Sequence, residues 1–367
     1  MNLVRLISRI ILGLAFIFSG TVKAIDPLGS TYKFQDYFQA FHLGFLQDFS
    51  LPLAILLCTA EFIAGFSLLT GIKQKTGIWI IMILMTIFTP LTLILALTSP
   101  VSDCGCFGDA IHLTNWQTFG KNIILLIPAV IIFTSRNSIE AGKRVISEWL
   151  IISLFIICFI AFNFYNLKYL PVLDFLPYKI GTCIPEKMVI PDSVSTDEYM
   201  TTFIYEKNGV EKEFTVENYP ADDTTWKFVN QKSVLIKKGY EPPIHDFSIT
   251  TINDEDLTQE VLNNPGYTFL MISKKLEEAD NEKLLKGFGL GEYCIKNQID
   301  FYILTASVRD ELSSFNNELQ FCHADETTLK TIVRANPGYV LLKKGTIMGK
   351  WSWSNVPEKE WFTNLPF

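Results

Sequence analysis

The sequence predicts a membrane α-helical bundle of about five transmembrane helices, followed by an α/β domain. The 367 residues have a mean hydropathy of +0.26 and a hydrophobic content of 49%, which is too apolar for an ordinary soluble protein. The apolar residues are concentrated before Leu170. After Pro242, short strand-like segments alternate with helix-like segments, a pattern typical of a compact α/β domain.

Each predicted span is an apolar run of about twenty residues, the length that crosses a hydrocarbon core. The runs lie at residues 6–23, 51–70, 77–98, 116–135 and 147–167. The first run resembles a signal peptide, but Arg9 within it and Lys23 near its end argue against cleavage. We therefore expect a multi-pass protein in contact with the lipid bilayer.

The orientation follows from positive charges, which are enriched in cytoplasmic loops. One set of loops carries Arg5, Arg9, Lys73, Lys75, Arg136, Lys143 and Arg144. The opposite loops are richer in aspartate than in lysine. This predicts a cytoplasmic N-terminus and an extracytoplasmic C-terminal half. The net charge of −7, mostly in that half, speaks against nucleic acid as a partner.

Three regions are predicted: a transmembrane domain (1–170), an extracytoplasmic connector (171–240) and the α/β domain (241–367). In the connector, β-rich segments flank Asn208-Gly209, a dipeptide that favours a β-hairpin because both residues tolerate positive φ. In the α/β domain, strands are predicted at residues 247–251, 267–272, 299–304 and 339–343. Helices are predicted around residues 254–263, 276–297, 307–318 and 326–335.

Cys104 and Cys106 are the most informative residues, because they lie one residue apart in an outside loop, beside glycines that permit a tight turn. A disulfide between them would close a very small, strained ring, and strained exposed disulfides tend to be the labile or catalytic ones. The spacing favours a thiol–disulfide exchange centre. One alternative is a structural pair that fixes the loop. A second alternative is a metal site completed by Asp109 and His112, and this is the least favoured of the three, so no metal is predicted.

The other five cysteines are expected to be incidental or core thiols: Cys58, Cys158, Cys183, Cys294 and Cys322. Cys58 and Cys158 fall within predicted spans and are expected to be buried. Cys183 could instead reach the cysteine loop, and Cys294 could pair with Cys322. The outside face carries an odd number of cysteines, so at least one is free or pairs elsewhere.

Glu61 lies inside the second predicted span. An ionisable side chain within a membrane helix is costly and is a functional candidate by default. The alternative is a packing residue that is hydrogen-bonded to a neighbouring helix.

The run from Arg9 to Lys23 resembles the first helix of DoxX-like membrane proteins. With Glu61 and the Cys104-Gly105-Cys106-Phe107-Gly108 loop, it resembles the methylamine-utilisation protein MauE branch of that group. MauE-like proteins are thought to support maturation of a disulfide-rich periplasmic enzyme. The resemblance implies a bacterial inner membrane location, a periplasmic client protein, and Cys104 and Cys106 as the redox pair. Together with Glu61, the functional candidate inside the second span, they are the predicted catalytic residues. By analogy with quinone-linked membrane partners of disulfide formation, it suggests a quinone as the cofactor.

Residues 241–367 resemble a thioredoxin-like domain of the membrane-tethered thiol-reductase type. The resemblance is carried by residues 242–247 and 334–345, and it implies that Pro337 is a cis-proline at a client-binding edge. Residues 273–280, where a thioredoxin carries its C-x-x-C pair, contain no cysteine. The domain is therefore degenerate and cannot run the usual dithiol cycle.

Two functions are predicted from these features. The first is a membrane thiol–disulfide redox protein that supports periplasmic protein maturation. The alternative is a non-enzymatic scaffold or assembly factor whose thioredoxin-like domain binds a client. The sequence therefore does not decide whether the protein is an enzyme. A transporter is disfavoured, because no paired set of intramembrane charges and no discontinuous-helix repeat is evident.

Overall fold

The computed structural model describes residues 3–101, 103–138, 145–191, 195, 198–220, 223–237, 239–308 and 319–362. The chain divides into two compact units. The first unit comprises Met1–Gly181 and Ser248–Phe367 and contains the membrane helices and the α/β domain, whereas the second is Thr182–Phe247. The predicted region boundaries near residues 170 and 240 stay a prediction.

Within the described residues, five helices are long and apolar enough to cross a membrane, which confirms the predicted spans. In chain order the first six helices are α1 (Leu3–Ile25), α2 (Pro27–Ala40), α3 (Ser50–Thr70), α4 (Gln74–Thr98), α5 (Asn115–Thr134) and α6 (Val145–Tyr169). All except α2 are candidate spans. The chain is therefore a multi-pass membrane protein whose helices contact the lipid bilayer.

Helices α1 and α3 pack backbone against backbone. A Cβ atom added at Gly20 would lie 2.6 Å from the carbonyl oxygen of Cys58, and one added at Gly65 would lie 2.6 Å from that of Gly13. Both distances are too short for any side chain, so these glycines permit the close approach. The approach brings Lys23, near the end of α1, against Glu61 in α3.

Helix α2 was not predicted from the sequence. Asp26 caps its N-terminus, because the Asp26 carboxylate accepts a hydrogen bond from the amide of Gly29 at 2.8 Å. Pro27 at the first helical position favours the same start. Its largely polar sequence has no apolar run that would identify it as a span.

The second unit contains the short helix α7 (Ile184–Met188) and three strands, β1 (Glu198–Lys207), β2 (Val210–Thr215) and β3 (Lys227–Lys237). The strands form an antiparallel sheet in the order β2-β1-β3. The predicted hairpin is confirmed: Asn208 and Gly209 connect β1 to β2 with φ angles of 54° and 79°. Strand β3 was not predicted.

The α/β domain contains six strands: β4 (Thr250–Thr251), β5 (Tyr267–Ser273), β6 (Asp300–Thr305), β7 (Gln320–His323), β8 (Gly338–Lys343) and β9 (Thr346–Ser352). Its sheet has the order β4-β7-β6-β5-β8-β9. Strands β5, β6 and β7 are parallel, whereas β8 and β9 form an antiparallel hairpin beside β5. The helices of the domain are α8 (Thr258–Asn263), α9 (Asn281–Lys296), α10 (Glu326–Ile332) and α11 (Lys359–Phe362).

Three of the four predicted strands match β5, β6 and β8 within one residue. The strand predicted at 247–251 is reduced to β4, and β7 and β9 were missed. The helix predicted at 276–297 begins only at Asn281, because the Asp280 side chain caps it there. Most of the helix predicted at 307–318 lies outside the described residues. The peptide bond between Asn336 and Pro337 is cis, as predicted.

Candidate functional site

Cys104 and Cys106 lie in a tight loop between α4 and α5, and their Sγ atoms are 2.7 Å apart. Gly105 between them has a φ of 63°, a left-handed conformation that glycine adopts without steric cost. The amide of Gly108 donates to the carbonyl oxygen of Gly105 at 3.0 Å and closes the turn. The loop therefore presents the two thiols side by side, within reach of each other for pairing.

Side chains from α1 and α2 hold the backbone of both cysteines. The hydroxyl of Tyr37 donates to the carbonyl oxygen of Cys104 at 2.6 Å. The hydroxyl of Ser19 lies 2.9 Å from the carbonyl oxygen of Cys106. The cysteine pair is thus fixed against the bundle by its backbone, which leaves the thiol groups available for chemistry.

Lys23 and Glu61 form a buried ion pair beside this loop. The Nζ atom of Lys23 lies 2.8 Å from each carboxylate oxygen of Glu61, and the two residues are only 6% and 3% exposed. Ser19 joins them: its hydroxyl accepts from Lys23 at 2.9 Å and lies 2.9 Å from a Glu61 oxygen. Because Ser19 also reaches the Cys106 carbonyl, one network connects the intramembrane charges to the cysteine loop.

A cavity of about 110 Å³ lies between the helices against the cysteine loop. Much of its wall is aromatic, formed by Phe16, Phe34, Phe88 and Phe107. Lys23, Glu61, Lys121 and both cysteines also border it. Ser30 lines the same cavity, and its buried hydroxyl has no hydrogen-bond partner. Since a buried unpaired hydroxyl is costly, Ser30 marks a position where a ligand oxygen could bind.

The two thiols differ in acidity. A hydrogen bond shared with the Cys104 thiol lowers the pKa of the Cys106 thiol, and the positive charges of Lys121 and Lys23 act in the same direction against the effect of burial. The same hydrogen bond, together with burial, raises the pKa of the Cys104 thiol. Cys106 is therefore the thiol that ionises, and the thiolate is the reactive form.

The acidic residue of the alternative metal site is engaged elsewhere. The carboxylate of Asp109 accepts a hydrogen bond from Arg334 at 2.7 Å, and His112 is exposed. Within the described ranges, no three His, Cys, Asp or Glu side chains form a cluster that could hold a metal ion.

All seven cysteines fall within the described ranges, and each is a free thiol. Cys58, Cys294 and Cys322 are buried, as expected, and burial raises the pKa of the Cys294 and Cys322 thiols to about 12. Cys158 corrects the prediction of a buried thiol: it is exposed on the surface of α6, because this helix packs on the bundle along the face of Ile152, Phe159 and Asn163. Cys183 is half-buried, in the second unit.

Pro337 is buried, in a segment that contacts the loop after β5. The hydroxyl of Ser273 donates to Asn336 at 2.7 Å, and the Asn336 amide donates to the carbonyl oxygen of Lys275 at 3.1 Å. The segment that follows β5 is thus tied to the cis-proline. Client binding at Pro337 stays a prediction.

Sequence reasoning found Cys104, Cys106 and Glu61 but missed the partners that complete the site: Ser19, Lys23, Tyr37, Lys121 and Arg334. One signal was available, because an ionisable residue inside a span needs a partner of opposite charge, and Lys23 lies at the matching depth of α1. The expectation that no intramembrane charges are paired is corrected by this ion pair.

Fold and site together define a multi-pass membrane protein with a paired-cysteine loop at the edge of its bundle and an attached α/β domain. Residues 1–135 match the family model of methylamine utilisation protein MauE, so the membrane part is MauE-like. Residues 199–238 match a domain of unknown function (DUF8463). Comparison with curated proteins and with solved structures gives no significant match.

Proposed function

We propose that this protein is a membrane thiol–disulfide redox protein that exchanges disulfides with client proteins through Cys104 and Cys106. The observation that carries the proposal is the pair of Sγ atoms, 2.7 Å apart, on a cavity that also contains the Lys23–Glu61 ion pair. The match to the MauE model supports a role in maturation of the methylamine-utilisation type. On this proposal the chain lies in a bacterial inner membrane and its clients are periplasmic.

The exchange begins from the oxidised pair. A client thiolate attacks the Sγ atom of Cys104, the bond between Cys104 and Cys106 breaks, and Cys106 leaves as a thiolate. The second client thiolate then attacks the client sulfur of the mixed disulfide and releases Cys104, which takes up a proton. The client gains one disulfide, and the cysteine pair is reduced. Cys106 suits the role of leaving group because a thiol of low pKa leaves faster.

Lys23 and Glu61 support this chemistry without forming bonds to sulfur. The ammonium of Lys23 places a positive charge close enough to favour the Cys106 thiolate. Glu61 keeps that ammonium in position and compensates its charge inside the bundle. Ser19 links both residues to the loop.

Reoxidation of the pair needs an acceptor of two electrons and two protons, for which we propose a membrane quinone. The cavity volume of about 110 Å³ is smaller than the roughly 150 Å³ of a protein cavity that accepts benzene, so a quinone ring would enter only if the surrounding helices move apart. Its wall is aromatic, and the unpaired Ser30 hydroxyl can donate to a carbonyl oxygen. When bound, a quinone would supply an acceptor for the electrons of the dithiol. Lys23 and Lys121 border the cavity and place positive charge beside it.

We further propose that the α/β domain is thioredoxin-like and that the membrane part is related to DoxX-like proteins. The arrangement of β5, α9, β6, β8 and β9, together with the cis bond before Pro337, supports the first assignment. The absence of cysteine from residues 273–280 favours the competing scaffold function, in which the domain only binds a client at the edge near Pro337.

Disulfide trapping in cells that express the full chain separates the two functions. The remaining thiol of a single variant can attack the disulfide of an oxidised client, which is the reverse of the exchange, and the mixed disulfide lasts longer because attack on it by the partner cysteine is lost. Cys104→Ser and Cys106→Ser should therefore each accumulate a reducible adduct of higher mass, and the double variant should show none. If neither single variant forms an adduct although both are inserted and folded, the redox proposal fails and the scaffold is favoured.

A further inference from the structure

Arg334 of the α/β domain contacts the cysteine loop. Its Nε atom lies 2.8 Å from Asp26 Oδ2 and its Nη2 atom lies 2.7 Å from Asp109 Oδ2. Asp26 ends the first span and caps α2, whereas Asp109 is three residues beyond Cys106. One guanidinium therefore ties the domain, the membrane bundle and the cysteine loop together.

This contact is buried and fully paired. Arg334 is 7% exposed, and its remaining nitrogen donates to the carbonyl oxygen of Lys330 at the end of α10. The charges of Asp26 and Asp109 outweigh burial and raise the pKa of the Arg334 guanidinium. A planar guanidinium can bond two carboxylates at once, which a lysine ammonium does with less fixed geometry.

An aromatic contact beside this ion pair involves the region where a thioredoxin carries its redox motif. The ring of Tyr32 in α2 lies under three cations of the domain, with centroid distances of 4.9 Å to Lys330, 5.3 Å to Arg334 and 5.6 Å to Lys274. Lys274 directly follows β5. This face of the domain thus packs on the membrane bundle.

The loop has an anchor at each end. At the first end, Lys33 of α2 pairs with Asp103 at 3.0 Å. At the other end, Asp109 pairs with Arg334. Without Arg334, the carboxylates of Asp109 and Asp26 would face each other uncompensated, and their repulsion would push the loop off α1.

We infer that the α/β domain, which has lost the cysteines of a redox domain, serves as a positioning element for the membrane cysteine pair, and that Arg334 is the positioning residue. The inference rests on the proposed function only in taking Cys104 and Cys106 as the exchanging pair. Through Asp109, Arg334 holds the loop where Ser19 binds the Cys106 carbonyl and Lys23 favours its thiolate.

The test uses the purified full-length protein with two readouts on the peptide that contains Cys104 and Cys106. The first is the alkylation rate at about pH 9, where most thiols are ionised. The second is the fraction of disulfide in glutathione redox buffers, which reports the reduction potential. The variants are Arg334→Met, Arg334→Lys and Asp109→Asn.

Loss of a charge-assisted hydrogen bond should shift loop opening by roughly tenfold or more. Arg334→Met should therefore accelerate alkylation by about that factor and change the disulfide fraction, and Arg334→Lys should lie between it and the wild type. Asp109→Asn removes the charge pair between the loop and Arg334 but keeps the bond from Arg334 to Asp26. If Arg334→Met does not fold, Asp109→Asn therefore tests whether Arg334 positions the loop. Both changes break the same ion pair, so the double variant with Arg334→Met and Asp109→Asn should show nearly the same alkylation rate and disulfide fraction as Arg334→Met alone.

Ser352→Ala is the matched control. It removes a contact of the domain with the carbonyl oxygen of Lys168 at the end of α6 that involves no residue of the cysteine loop, and both readouts should stay at wild-type values. Wild-type readouts in both Arg334→Met and Asp109→Asn would overturn the inference. A pair that never forms a disulfide in the wild type, but is alkylated faster in Asp109→Asn, would contradict the proposed function and support the positioning role.

Discussion

The ammonium of Lys23 lies 2.8 Å from both carboxylate oxygens of Glu61, although 38 residues separate them in the sequence. The pair is buried between α1 and α3, where the backbones approach closely at Gly20 and Gly65. An isolated charge in this position would be costly, so each residue requires the other. The ion pair is therefore both a structural connection between two spans and a source of charge beside Cys106.

Breaking the ion pair should destabilise the bundle. Glu61→Gln leaves the Lys23 ammonium buried without a counter-charge, at an expected cost of about 3–5 kcal/mol in the free energy of unfolding. The double variant Lys23→Met with Glu61→Gln should lose less than the sum of the single changes. Unfolding in detergent by denaturant titration measures all three. Lys73→Met is the control: its partner Glu148 is 3.7 Å away and this pair is more exposed than the Lys23–Glu61 pair, so the loss should be smaller than for Glu61→Gln. Strict additivity of the two buried changes would contradict the coupling.

The reactivity of reduced Cys106 should depend on pH with a midpoint below the roughly 8.5 of an ordinary thiol, because the Cys104 hydrogen bond and the lysine charges lower the pKa of Cys106. Its ionisation stabilises the reduced folded state fully above the pKa of the unfolded thiol, and this contribution is lost as the pH falls through the lowered pKa of the folded state. The measurement is the alkylation rate against pH in a variant whose five other cysteines are alanine. Cys104→Ala and Lys121→Met should each raise the midpoint. A wild-type midpoint above pH 8 would rule out an activated Cys106.

The close approach of α1 and α3 should not tolerate side chains at the two contact glycines. Gly20→Ala and Gly65→Ala place a Cβ within 2.6 Å of backbone oxygen atoms, and each should destabilise the bundle by about 1–3 kcal/mol. Gly120→Ala in α5 is the control, because no atom lies within 4 Å of its added Cβ. Thermal unfolding in detergent should show lower midpoints for the first two variants and an unchanged or higher midpoint for the third.

The topology is open to a direct test. Five spans and the distribution of Lys and Arg predict that a reporter enzyme fused after Phe367 is active only if it works outside the cytoplasm. A second reporter, active only in the cytoplasm and fused at the same residue, should stay silent. Activity of the second reporter would reverse the predicted orientation.

Much of the fold was predictable from local patterns. The five spans follow from apolar length, the hairpin from Asn208-Gly209, and the strands β5, β6 and β8 from their apolar β-rich runs. The missed elements lack such patterns: α2 is largely polar, β7 has only four residues, and β9 is interrupted by Gly349 and Lys350. Their stability comes from packing against neighbours that sequence periodicity does not reveal.

The sequence by itself determined that this is a multi-pass membrane protein with Cys104 and Cys106 in one loop, because apolar length and cysteine spacing are local properties of the chain. Only the tertiary structure decided which charges surround that loop. Arg334 meets Asp109 across 225 residues and Asp26 across 308 residues. No local pattern encodes such pairs, because they form only when the helices and the sheet pack and exclude water, so that each buried charge must find its counter-charge wherever the fold places it.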